Sequence, residues 1–193
     1  MKSLTRCLFA VGLLAFGAAG CLVEEPAPAG GGDSGSPPLT ASLPSAPEFE
    51  LVSLAGGTIR SEDLKGKVVV LDFWATWCAP CIAEIPRYNE LHRDQNSDEF
   101  AMLGITVESG SIEDVRPYIA EYGIEYPVVM GDTAVVADIG GVIAYPMTFV
   151  ISPDWKIFKK YLGQYPPNKK EQIEQDVLDL TRAFAEMARL EPE

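Results

Sequence analysis

Histidine and widely spaced cysteines are what this 193-residue chain most lacks. His92 is its one histidine, and two of its four cysteines, Cys7 and Cys21, fall near the N-terminus, leaving only Cys78 and Cys81 beyond. A structural zinc site needs four ligands, so one cysteine pair and a histidine read as exposed in the polar stretch "NELHRD" supply no metal site. Covalent haem attachment needs histidine directly after the second cysteine, and Ile82 stands there. No cofactor is therefore expected. Domains stapled by disulfides use several well-separated pairs. A pair this close closes too small a loop to restrain the unfolded chain, so it is not there for stability. Basic residues are also scarce, 15 against 28 acidic, for a net charge of −13. That balance disfavours nucleic acid and anionic lipid headgroups as partners. Internal repeats are missing, and no apolar run is long enough for a comfortable membrane span. The remaining composition, 47% hydrophobic and 22% charged, suits one soluble domain able to bury its own core.

The chain opens with Lys2 and Arg6, then "CLFAVGLLAFGAAG", an apolar run ending in small residues. Residues 1–20 thus read as a secretory signal. The "AAGC" that follows resembles the lipobox of bacterial lipoproteins, which implies lipidation of Cys21 and anchoring to a membrane on the extracytoplasmic side. Residues 21–47 are rich in Pro, Gly, Ala and Ser without apolar periodicity, as expected of a flexible tether with a reach of roughly 30 Å.

A folded domain is expected over 48–193. "FELVSL" alternates as a strand, "AGG" is a turn, and "TIRSEDL" continues to a second strand or helical turn. Val68 to Leu71 form a run suited to a strand buried on both faces. "APCIAEIPRYNELHRD" is a helix with Pro80 tolerated in its first turn and Pro86 inside it, where a kink is expected. "FAMLGITVES" is the next strand. A helix opened by Ser111 and closed by Gly123 leads to a short strand at "YPVVMGD" and a short helix at "TAVVADIGG". "YPMTFVISPDWKIFKKYLG" reads as a hairpin turning at "SPDW". Ile173, Val177, Leu180, Phe184 and Met187 then fall on one helical face. Phe149, Phe158 and Phe184 are read as core, and Trp74 as half-buried packing. The order is that of an α/β layered fold with a central mixed sheet.

"DFWATWCAPC" places the cysteine pair at a strand-to-helix junction. Backbone N–H groups of the first turn and the helix dipole would favour a thiolate at Cys78. Cys81, one turn on, can close an intramolecular disulfide. Cys78 is thus the expected attacking sulfur and Cys81 the resolving one. Asp72, inside an apolar strand, should have a raised pKa and could accept a proton from Cys81; its plainer alternative is a structural acid.

These residues carry a resemblance. "VVLDFWATWCAPC" is similar to the active-site segment of thioredoxins, and "CAPCIAEIP" with the preceding "APEFELVSLAGGTIRSEDLKGKVVVL" resembles TlpA/ResA-like thiol–disulfide oxidoreductases, from about residue 46 to the C-terminus. The resemblance implies a thioredoxin-like fold with an N-terminal β-hairpin and a helix–strand insertion. It implies proton relay by Asp72, tuning of the cysteines by Glu84, and a cis peptide bond before Pro146, where Tyr145 would present its backbone to substrate. Trp77 would cap the exposed sulfur, and Ala79 and Pro80 would complete the surface that meets substrate. It also implies protein disulfide clients, a membrane-bound electron donor and action as a monomer, with cytochrome c maturation as the setting.

Four functions compete on this reading. A reductant of protein disulfides leads. An oxidant would use the same two sulfurs, since Ala79 and Pro80 do not fix the potential. A peroxidase is suggested by the peroxiredoxin-like N-terminal pattern, but Thr76 lies too close to Cys78 and no proline precedes it as P-x-x-x-T-x-x-C requires. A binding module with idle cysteines is the non-enzymatic alternative.

Overall fold

The computed structural model describes residues 39–95, 97–163 and 168–190. The signal segment, Cys21 and residues 22–38 of the expected tether lie outside the described residues.

Among the described residues, seven strands and four α-helices form where the local patterns suggest. An N-terminal hairpin pairs β1 (Glu50–Val52) with β2 (Thr58–Arg60) antiparallel. Its turn passes through Gly56 and Gly57, whose φ angles of 102° and 76° a side chain would resist. A 3-10 turn, Ser61–Leu64, leads to β3 (Val68–Trp74), every residue of which is buried. The strand thus outruns the apolar stretch at 68–71 and carries Asp72 into the interior. Next come α1 (Ala79–Asp94), β4 (Phe100–Thr106), α2 (Ile112–Glu121), β5 (Val128–Met130) and α3 (Thr133–Asp138). The hairpin of β6 (Met147–Ile151) and β7 (Ile157–Leu162) follows, then α4 (Lys169–Leu190).

Ser111 caps α2 as expected, accepting from the Asp114 backbone while the Asp114 carboxylate accepts from the Ser111 N–H at 2.8 Å. Pro80 sits in the first turn of α1, and the helix runs past Pro86 as a single element.

The five-stranded sheet has the order β5-β4-β3-β6-β7. β4 runs parallel to β3 and to β5, whereas β6 is antiparallel to β3 and to β7. Alternation along β3 divides the interior in two. Val68, Val70 and Trp74 face a core shared with α1 and with Ile173, Val177 and Leu180 of α4. Val69, Leu71 and Phe73 face the other side, where Val135, Ile139 and Leu51 close the layer. Register pairs Asp72 with Thr148 of β6 and with Gly104 of β4. A Cβ on Gly104 would lie 2.9 Å from Tyr126 Cε2 and 3.2 Å from Trp74 Nε1, so only glycine leaves room for those rings.

Several expectations need correction. Packing begins before Glu48: Thr40 is buried and donates to Asp154 Oδ2 at 2.9 Å, and the Ala46 N–H donates to the Trp155 carbonyl. The Pro/Ser-rich composition there hid backbone hydrogen bonds to the β6–β7 turn. Trp74 is fully buried, because β3 is covered on both faces. His92 is half-buried with Nδ1 covered, since the polar stretch around it wraps a helix whose next position, Leu91, is in the core. Phe149 is core as read, while Phe158 and Phe184 are half-buried at its edge. Among the described residues, no helix is long and apolar enough to cross a membrane.

Candidate active site

The chain leaves β3 at Trp74, turns through 75–77 and enters α1 with Cys78 as the N-cap. This location, at the carboxyl ends of parallel β3 and β4, is where open α/β sheets leave a crevice. Cys78 and Cys81 are joined in a disulfide with Cα atoms 5.3 Å apart. The Cys78 sulfur accepts from the Cys81 backbone N–H at 3.3 Å, so the first turn of α1 does point a donor at it. The pair is less accessible than expected: Cys78 is only 4% exposed and Cys81 2%. Packing of the turn against the core covers the sulfurs that a strand–helix junction alone would leave open.

An aromatic rim borders the disulfide. Trp77 is 61% exposed and meets Tyr145 edge-on, with ring centroids 5.8 Å apart. Its indole N–H donates to the Glu108 carbonyl at 2.9 Å, which ties the rim to the loop after β4. The Tyr145–Pro146 bond is cis, with Pro146 buried and its carbonyl accepting from the Gly163 N–H at 2.8 Å. A cleft of about 550 Å³ between Tyr145 and α3 is lined in part by Glu108, Asp132 and Val136.

Polar groups are buried on the α1/α4 face of the sheet. Thr148 donates to Asp72 Oδ1 at 3.4 Å and bonds the Tyr88 hydroxyl at 2.6 Å. With Thr148 donating to the carboxylate, the phenol is the donor in that second bond. Burial pushes the Asp72 carboxyl from its ordinary 3.8 up to about 7, Glu84 adding to the rise and Lys169 opposing it. Glu84 belongs to the buried side of α1. It is buried, and Lys169 Nζ donates to its Oε2 at 3.4 Å. Burial raises Glu84 above the carboxylate range, with Lys169 pulling the other way. Burial likewise lowers Lys169, against the pull of Glu84 and Asp72. Glu84 Oε1, Tyr126 OH and Trp74 Nε1 are buried without a hydrogen-bond partner.

Sequence reasoning brought Asp72, Glu84, Cys78, Cys81, Trp77, Tyr145 and Pro146 forward, and the fold gathers them at one end of the sheet. Ala79 and Pro80 are the first residues of α1, with Ala79 exposed and Pro80 half-buried. Lys169, Thr148 and Tyr88 were missed. Strand alternation could have placed Thr148 on the face of Asp72. No local signal distinguishes Lys169 from Lys170 beside it, which is half-buried and bridges Glu90, Asp94 and Glu174.

Residues 44–160 match the model of the AhpC/TSA family. The thiol–disulfide oxidoreductase ResA of Bacillus anthracis is 33% identical over 129 residues, which covers 67% of this chain and 72% of that protein. ResA of Bacillus subtilis is 36% identical over 118 residues, covering 61% and 65%. A solved thiol:disulfide interchange protein of the thioredoxin family from Chlorobium tepidum superposes with a TM-score of 0.64 at 30% identity, over 72% of this chain and 97% of that one. With the family model spanning most of the described domain and the Bacillus anthracis and Chlorobium tepidum relatives covering two thirds or more of the chain, the chain, whose own cysteine pair stands at the head of α1, belongs to the AhpC/TSA family as a thioredoxin-fold, ResA-like thiol–disulfide oxidoreductase.

Proposed function

We propose that this oxidoreductase works as a monomeric reductant of specific protein disulfides on the extracytoplasmic side of a bacterial membrane, held there by lipid on Cys21. The observation that carries the chemistry is the Cys78 sulfur at the N-terminus of α1, facing the Cys81 N–H, with a protonatable Asp72 on the same face of the sheet. The "AAGC" segment and the Pro/Gly/Ser-rich stretch after it support the anchor.

In the reduced protein, the helix N-terminus favours the Cys78 thiolate. The thiolate attacks one sulfur of a client disulfide; a new S–S bond forms, the client's bond breaks, and one client thiolate departs. Asp72 takes the proton from the Cys81 thiol. The Cys81 thiolate then attacks Cys78 Sγ, closing the disulfide and releasing the second client thiolate. Two electrons pass to the client, which ends as a dithiol. Returning this protein to its reduced form requires two electrons from a donor, and a membrane-bound dithiol donor fits a tethered domain.

Trp77 and Tyr145 offer a broad aromatic surface beside the sulfurs, and the backbone at Tyr145–Pro146 can pair with an extended client segment. Glu84 tunes the pair from below. An unfolded polypeptide with a close cysteine pair, as in cytochrome c maturation, is the client class that suits a shallow, backbone-reading rim.

Trapping tests the proposal. Cys81→Ser should stall the mixed disulfide on Cys78 and yield a discrete set of extracytoplasmic proteins, released by dithiothreitol. Equilibration of the wild-type pair with glutathione should give a reducing potential. A strongly oxidising value would overturn the reductant assignment, and rapid peroxide consumption would replace it with peroxidase activity.

A further inference from the structure

Lys169 lies at the start of α4, remote in sequence from the cysteines, yet its side chain is 1% exposed. A buried lysine is costly unless paired. This one meets Glu84 Oε2 at 3.4 Å and the Gly163 carbonyl at 3.5 Å, and its ammonium stands 5.9 Å from the Tyr88 ring centroid. Every element packed around Asp72 contributes to the same cluster: Glu84, Arg87 and Tyr88 from α1, Lys169 from α4, Thr148 from β6, and Tyr126 from the turn before β5. Two carboxyl groups therefore share one interior with one fully buried ammonium.

We infer that Lys169 is a positioning residue for the redox reaction: held against Glu84 by direct contact, its ammonium offsets the Glu84 charge, so that Asp72 can give up its proton and serve as acceptor for Cys81. The charge count favours this arrangement. With the ammonium in place, ionising Asp72 beside Glu84 leaves one excess negative charge in a dry space; without it, two. The contact decides the site, since Glu84 bonds Lys169 and Asp72 bonds a hydroxyl that donates to it. The directions agree: Glu84 raises Asp72, and Lys169 lowers it. The proton of the cluster is thus set by a residue on the last helix, and docking of α4 becomes part of the active site rather than of the fold alone.

This inference rests on the assignment of Asp72 as proton acceptor for Cys81, and one experiment separates the two. Reduced protein is mixed with dithiodipyridine. Attack by Cys78 releases a first pyridinethione, and resolution by Cys81 releases a second, so the pH profile of the second phase reports the acceptor. Asp72→Asn should abolish the midpoint of that profile. Lys169→Met should raise the midpoint by about one pH unit, because the cation that favours ionised Asp72 is gone. Glu84→Gln should lower it, because the neighbouring negative charge is gone. Lys169→Met/Glu84→Gln should fall between the two single variants. A lysine that only supports packing would change the urea midpoint of Lys169→Met and leave the pH midpoint in place, which overturns the inference while Asp72 stands. Should Lys169→Met alone fail to fold, the comparison of Glu84→Gln with the double variant reads the same lysine effect, and coincident midpoints overturn it. An unchanged profile in Asp72→Asn removes the acceptor assignment, and the role of Lys169 falls with it.

Discussion

Replacing Asp72 by Asn should make this protein more stable at alkaline pH and slower as an oxidoreductase. The carboxyl is 2% exposed, and burial lifts it from 3.8 in an ordinary setting to about 7. Between those two values the folded state binds a proton that the unfolded state has lost, so stability falls as pH rises through the window. Below 3.8 the cost is absent; above about 7 it is fully developed. A difference of that size corresponds to about 4 kcal/mol carried by the ionised side chain. Asparagine keeps an oxygen for the Thr148 hydroxyl but brings N–H donors without evident partners, a penalty of about 1–3 kcal/mol. The expected net gain for the oxidised variant at pH 8 is therefore about 1–3 kcal/mol, shrinking and then reversing toward pH 4. Urea denaturation of both oxidised proteins at steps from pH 4 to pH 9 measures it. A stability difference independent of pH would refute the reasoning, since the effect belongs to titration and not to packing.

Other expectations are local. Gly104→Ala puts a Cβ 2.9 Å from Tyr126 Cε2, 3.2 Å from Trp74 Nε1 and 3.3 Å from Val128 Cγ2, none of which is the end of a flexible chain. A loss of about 1–3 kcal/mol in urea denaturation is expected, and wild-type stability would show that the rings move aside freely. Trp77→Ala removes an exposed ring, so the melting temperature should hardly change. Turnover of a protein disulfide such as insulin should nonetheless fall roughly 5–10-fold in kcat/KM, about 1–1.4 kcal/mol of contact. Equal turnover would remove Trp77 from the client surface.

Much of the fold was legible because it is locally encoded. Val68–Leu71 could only be an interior strand, Ser111 with Asp114 announced a helix start, and "SPDW" marked the β6–β7 turn. The dithiol was legible for the same reason, since two cysteines one helical turn apart need no tertiary contact to find each other. Burial was less so. Trp74 read as half-buried and His92 as exposed because a stretch shows its own polarity but not what will cover it. Residues 40–47 read as linker because proline and serine are compatible with either a tether or a strap bonded to a distant turn.

From the sequence alone came the reaction class, through a sulfur pair at a strand-to-helix boundary and an acid inside an apolar strand; the cis bond before Pro146 was expected only from the resemblance. The protonation state of the site was decided elsewhere. Asp72 is tied to Thr148 across a strand pair and Glu84 to Lys169 across the interval between α1 and α4, at separations of 76 and 85 residues. Electrostatic energy depends on distance through space and on exclusion of water, and neither quantity exists until the last helix has docked.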